Sequence, residues 1–224
     1  MAAPLPGAEL VWEPWGHRVS CKLGHPIGNY AFFRDYEAWK NADEFAIPNI
    51  RAFNLYLNDE SKTGPELGIF EERMTLTSMV RPPGGVTRNA DFLVEEARTT
   101  ASRLNAARFI VSQFYSTSTA ETSRIIAGAI VAAADLDLFF VSDGGGGIAG
   151  AAMLSKSASV WGIYSVCVHP DFQRRRIGAN IVQELGRIAS VNNRVTQLQC
   201  LESKRSWYEA LEFEPHSFLH VYCV

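Results

Sequence analysis

The chain has 224 residues, 47% hydrophobic and 20% charged, the balance of an ordinary globular protein with core enough for one large domain or two small ones. Its formal net charge of −3 creates no global basic field, which argues against nucleic acid or an anionic membrane as partner. Cys21, Cys167, Cys200 and Cys223 are scattered with no C-x-x-C pair, so neither a zinc or other metal site nor a disulfide framework is expected. Met1 to Trp15 lacks the basic-then-apolar order of a signal peptide, and no apolar run reaches about 18 residues. The sequence reads as a soluble, cytoplasmic protein with free thiols.

In chain order, Tyr30 to Phe45 is expected to be helical, with Phe33, Tyr36, Ala38 and Trp39 near helical spacing. Asn49 to Leu57 reads as a strand, Gly64-Pro65 opens a short helix through Glu72, and Thr75 to Val80 reads as another strand. Arg81-Pro82-Pro83-Gly84-Gly85 interrupts both helix and strand and divides the chain in two. After it come an interrupted helix from Asp91 to about Tyr115, an alanine- and isoleucine-rich helix from Glu121 to Ala134, and a strand from Leu138 to Ser142. Asp143 and Gly144 to Gly147 then lead into a strand from Ile148 to Leu154, a hairpin signal. The lysine and hydroxyl residue that would close a phosphate-binding P-loop are absent there. Val160 to Val168 is a third strand stopped by His169-Pro170; Arg174 to about Val191 is an amphipathic helix with Ile177, Ile181, Val182, Leu185 and Ile188 on one face. A strand from Val195 to Cys200, a helix from Ser203 to Leu211 and a strand from Phe218 to Val224 complete an ααβββαβαβ order.

The chemistry concentrates in Val166-Cys167-Val168-His169-Pro170-Asp171-Phe172-Gln173-Arg174-Arg175-Arg176-Ile177-Gly178-Ala179. A helix N-terminus carries partial positive charge and free N–H groups, and acidic residues are preferred there. Three arginines at this position cost stability unless an anion neutralises them. Gly178 and Ala179 let a ligand approach the backbone. Free N–H groups, converging arginines and small side chains together describe a phosphate site, with a solvated basic turn as the alternative of equal weight.

Gln173-x-x-Arg176-x-Gly178 resembles the Q/R-x-x-G-x-G/A signature with which GNAT acetyltransferases cradle the pyrophosphate of CoA. Val168-His169-Pro170 resembles that family's strand end, and Trp207-Tyr208-Glu209-Ala210-Leu211-Glu212-Phe213 resembles its second motif, a helix ending in Gly-Phe. The resemblance covers about Asn89 to Val224. It implies a mixed α/β sheet of the GNAT-like acyl-CoA N-acyltransferase fold in residues 86–224, preceded by a small α/β domain in residues 1–85. It further implies acetyl-CoA as cofactor, held by Val166, Cys167, Val168, Gln173, Arg174, Arg175, Arg176, Ile177, Gly178 and Ala179. Two positions depart: Arg176 and Glu212 stand where the family has glycine. A helical Arg176 would still offer its N–H, whereas Glu212 puts the local turn in doubt.

The implied reaction is direct attack of an amine on a thioester, which needs amine deprotonation, a donor for the oxyanion, and a proton for the departing thiolate. By resemblance Tyr208 serves the last, and the backbone of Val166 to Val168 the oxyanion. Tyr164 and Ser165 are placed to order a proton-carrying water, and His169, His216 and His220 are further candidates; none is assigned as the base. The N-terminal segment has the element order of the later half of a second, degraded GNAT unit without the signature, or of an unrelated cover over the acceptor. Its aromatics between Trp12 and Trp39 are core or cleft lining. The acceptor is expected to be a primary amine on a small molecule or peptide, with a second copy of the chain kept as a candidate partner. A CoA-binding regulatory module without turnover, and an acetyltransferase of protein N-termini or lysines, are the alternatives.

Overall fold

The computed structural model describes residues 5, 7–21, 29–35, 37–38, 52–57, 71–85 and 92–223. Contacts divide the chain into two compact units, one of Met1–Met79, Gln199–Glu209 and Glu214–Val224, the other of Val80–Leu198 and Ala210–Phe213. The C-terminal segments of the chain thus join its N-terminal residues.

The first unit begins with an antiparallel hairpin, β1 (Glu9–Glu13) and β2 (Gly16–Ser20), turned at Pro14-Trp15. β3 (Tyr30–Phe33) pairs antiparallel with β2 and parallel with β4 (Ala52–Leu57). Tyr30–Phe33 is therefore a strand where the sequence predicts a helix. Aromatic residues favour a pleated, half-buried surface, and Ala31 and Phe33 are buried while their neighbours are half-exposed. That period of two overrides the helical spacing; farther on, Arg34 and Asp35 form a bend and Glu37–Ala38 is helical, while residues 36 and 39–45 of the predicted helix lie outside the described residues. The predicted strand ending at Leu57 is present as β4, and Thr75–Val80 lies within a longer β5 (Glu71–Arg81). Gly64 to Phe70 of the predicted short helix lie outside the described residues, and Glu71 and Glu72 belong to β5. The final strand, β11 (Glu214–Cys223), lies between β4 and β5, antiparallel to β4.

The second unit is a mixed α/β layer. β6 (Glu95–Glu96), β7 (Leu136–Ser142), β8 (Ile148–Lys156) and β9 (Val160–Val168) form an antiparallel meander, and β10 (Val195–Leu201) joins β9 in parallel. The helix predicted from Asp91 begins instead at α1 (Thr100–Phe114): Glu95–Glu96 pair with β7, and Thr99 caps α1 through a capping box with Ser102. α2 (Ala120–Ala132) follows, and Arg103 Nη2 reaches the carbonyls of Val131, Ala133 and Leu136, tying the end of α2 to the start of β7. In the β7–β8 turn, Asp143 accepts from Gly145 N and Gly147 N at 2.7 and 2.8 Å, an Asx turn rather than a phosphate loop. α3 (Ile177–Val191) connects β9 to β10 and buries Ile177, Ile181, Val182, Leu185 and Ala189 against the sheet. α4 (Glu202–Glu209) belongs to the first unit. No helix among the described residues is long and apolar enough to cross a membrane.

At Gly150 on β8, α3 packs against the bare backbone. A Cβ there would lie 2.8 Å from Ile177 Cγ2 and 3.1 Å from both Ile181 Cδ1 and the Cys167 carbonyl oxygen. Gly150→Ala is expected to lower unfolding free energy by about 1–3 kcal/mol through overpacking, read by urea denaturation; an unchanged midpoint would contradict this packing.

Candidate functional site

Two features of the second unit converge on one end of β9. The first is a parting of strands. β9 pairs with β10 at Val160–Val195, Trp161–Thr196 and Gly162–Gln197, and no further. β9 nevertheless continues six residues to Val168 and stays paired to β8 on its other side. Along those six residues the backbone groups facing away from β8 have no strand partner among the described residues, whereas buried backbone polar groups in folded proteins are nearly always satisfied. A β-bulge between Ala151 and Met153 opposes Ser165, whose φ is +51°; it bends the strand and re-aims its backbone.

The second feature is the turn that follows. His169 N donates to the Ala149 carbonyl at 2.8 Å and its Nδ1 accepts from Asp171 N at 3.3 Å, so this histidine is tied into a 3-10 turn over Pro170–Phe172. Gln173 Nε2 reaches back to the Val168 carbonyl at 3.4 Å. Arg174 and Arg176 then take φ of +61° and +64°. Arg176 is the N-cap, and α3 starts at Ile177 rather than at Arg174 as the sequence predicts. Arginine does not announce a left-handed conformation, whereas glycine at that position would. The backbone thus keeps a shape suited to glycine with an arginine in it, at a cost of about 1–3 kcal/mol. A left-handed residue followed by a right-handed one makes an anion-binding nest of N–H groups.

The amides of Ile177, Gly178 and Ala179 precede the first intrahelical bond, from Asn180 N to Arg176 O at 3.0 Å. Arg174, Arg175 and Arg176 are exposed and make no ion pair among the described residues; Arg175 stacks its guanidinium 5.2 Å from the Phe172 ring centre. No side chain caps α3. Asn180, on its first turn, is 2% exposed, and neither amide atom has a hydrogen-bond partner among the described residues. Its place between Ile177 and Ile181 was the one sequence sign of a polar group on the packed face. Unpaired N–H groups, uncompensated cations and an orphaned buried amide fit a polyanionic ligand that continues into hydrogen-bonding groups, as the phosphates and amides of CoA do.

Val166, Cys167, Val168, Gln173, Arg174, Arg175, Arg176, Ile177, Gly178 and Ala179 therefore fall in one strand–turn–helix of the second unit. Cys167 is buried and its thiol is pushed up from 9.0 to about 12 by burial, so it offers its backbone only. Tyr208 lies on α4 of the first unit, its ring 4.6 Å from that of Trp207, and its phenol is pushed up to about 12, by burial first and then by Cys200. His216 is exposed and His220 buried with Nδ1 3.3 Å from Thr75 Oγ1. Glu212 has φ +68° and pairs with the buried Arg81. A separate cleft of about 560 Å³, lined by Glu95, Asn105, Arg108, Phe109 and Phe140 among others, draws no residue from β9 or α3.

Residues 135–215 match the family model described as an acetyltransferase (GNAT) domain. No curated protein sequence matches the chain. Among solved structures, a functionally unknown conserved protein from Staphylococcus epidermidis is similar at a TM-score of 0.69 and 14% identity, covering 96% of this chain and 93% of its own. A GCN5-related N-acetyltransferase from Kribbella flavida gives 0.65 and 13%, covering 98% and 90%. A tandem GNAT protein from the clavulanic acid biosynthesis pathway gives 0.51 and 14%, covering 84% and 68%. At these identities the likeness is one of fold.

Two measurements test the site without any ligand. Arg176→Gly is expected to raise unfolding free energy by about 1 kcal/mol, because glycine takes the left-handed conformation at little cost; a loss of stability would show that the side chain holds the turn. Cys167 and Tyr208 both have folded-state pKa values raised above their ordinary ones. Their contribution is therefore full below about pH 9 and is lost as pH rises toward 12. Urea midpoints should be level between pH 7 and about 8.5 and fall above it, with a shallower fall in Cys167→Ala.

Proposed function

We propose, from the match of residues 135–215 to a GNAT acetyltransferase domain, that the chain is an acetyl-CoA-dependent N-acetyltransferase acting on a primary amine of a small molecule or peptide. The observation that carries the reading is the sequence of unpaired β9 edge, left-handed Arg176 and uncapped α3 in one continuous stretch. Acetyl-CoA supplies an acyl group activated as a thioester. The α3 amides and Arg174 to Arg176 hold the pyrophosphate, and the free edge of β9 takes the pantetheine amides as an added strand would. An N–H within Val166 to Val168 meets the developing oxyanion, where a fixed donor is worth most.

Tyr208 is proposed to give its proton to the departing thiolate. A phenol held up to about 12 stays protonated across the working range, as a donor must. Burial also raises the Tyr164 phenol, and no residue is assigned as the base that takes the amine's proton. Cytoplasmic residence is proposed with it, since Cys167 and Cys200 are thiols and form no disulfide. Residues 1–85 and 86–224 are proposed as the two domains, and the tandem GNAT relative supports a degraded first half.

Calorimetric titration with acetyl-CoA is expected to give a Kd of about micromolar or tighter, weakened more than about tenfold by Gly178→Glu, which sets a carboxylate on the phosphates. Tyr208→Phe should keep that affinity and lower kcat about 10²-fold in a thiol-release screen of amines. Absent binding in protein shown by mass spectrometry to be free of CoA sinks the proposal; binding with no turnover in any form leaves a regulatory module.

A further inference from the structure

Gly162 and Tyr164 stand at the vertex where β9 and β10 part. Gly162 closes the last paired register, opposite Gln197. Tyr164, two residues on and on the same side of the strand, turns its ring back over that glycine. A Cβ on Gly162 would lie 2.4 Å from Tyr164 Cε2 and 2.7 Å from both Cζ and the hydroxyl oxygen. The ring thus occupies the volume in which a side chain at 162 would stand, and only glycine leaves room for it. The ring is half-buried, and the hydroxyl makes no hydrogen bond among the described residues. Just beyond it Ser165 takes φ +51° at the bulge, so the strand changes direction directly after the ring. The Tyr164 ring thus lies over Gly162, the last paired register, where the open edge begins.

The direction in which a ligand would lie along that edge follows from where its phosphates are held. They belong to the turn and helix start at Arg174 to Ala179, which come after Val168. An arm leaving them along β9 meets Val168 first and Tyr164 last, and the acyl group at its far end arrives at the vertex. From this geometry we propose that the Tyr164 ring, seated on Gly162, is the stop that limits the acyl chain to about the size of acetyl. This rests on the acetyl-CoA reading above and adds to it a residue that selects the donor. Without such a stop, each added methylene would find apolar strand surface and bind more tightly; against a stop, each meets a wall.

The test needs no acceptor. The full chain is titrated calorimetrically with CoA, acetyl-CoA, butyryl-CoA and hexanoyl-CoA, as native protein and as Tyr164→Ala, Tyr164→Leu and Tyr164→Phe. Native protein and Tyr164→Phe, which retains the ring, are expected to bind hexanoyl-CoA about tenfold or more weakly than acetyl-CoA. Tyr164→Ala and Tyr164→Leu should bring hexanoyl-CoA within about twofold of acetyl-CoA. Hexanoyl-CoA binding to native protein as tightly as acetyl-CoA would overturn the stop, as would discrimination retained in both truncated variants, in each case with CoA binding and the reading beneath it intact. If CoA and every thioester fail to bind, both fall together. Should Tyr164→Ala not fold, the native comparison and Tyr164→Leu still decide.

Discussion

The parting of β9 from β10 after three registers is the constraint on which the rest of the second unit depends. A parallel pair joined by a helix normally zips along its whole shared length, because every unmade rung leaves backbone groups to be satisfied elsewhere. Here pairing stops at Gly162–Gln197. The bulge opposite Ser165 keeps β9 joined to β8 while bending it away, so the strand is anchored on one side and open on the other. α3 packs on that sheet through Ile177 and Ile181 over Gly150, which fixes its first turn beside the end of the open edge. One backbone decision thereby supplies both a polar strip and the direction of the amides that follow it.

Glycine-like backbone persists where glycine itself is gone. Arg176 and Glu212 both sit at positive φ, and the two are compensated differently. Glu212 pairs with Arg81, a guanidinium whose side chain is 6% exposed; leaving such a buried charge alone would be costly, so the pair holds the residue in place. Arg176 has no comparable partner among the described residues. Strain left uncompensated within a run of three arginines that form no ion pair among the described residues is the pattern of a site shaped for something other than stability.

Much of this architecture could be read from the sequence where one physical signal dominated. β9 was predicted from Val160 to Val168 with the bounds it has, because a β-branched and aromatic run ends abruptly at His169-Pro170. α3 followed from a clean apolar stripe. Tyr30 to Phe33 misled because four aromatic or small residues suit either period, and strand pairing on both sides decided the matter. The β1–β2 hairpin was missed since Pro14-Trp15-Gly16 is not one of the strong hairpin dipeptides. In the candidate site, residue types pointed to a turn suited to an anion but not to its hand: nothing in Arg174 or Arg176 signals a left-handed backbone. The parting of the strands had no residue signature at all, being a property of two segments jointly.

The open stretch of β9 has a consequence for the protein before any ligand arrives. An unpaired strand edge is a template for any other extended chain, and folded proteins generally blunt such edges with charge, proline or cover. Ile163 to Val168 carries neither charge nor proline. If the edge takes a ligand as proposed, a chain without one would offer that edge to its neighbours, and occupancy would oppose self-association as well as prepare the protein for chemistry.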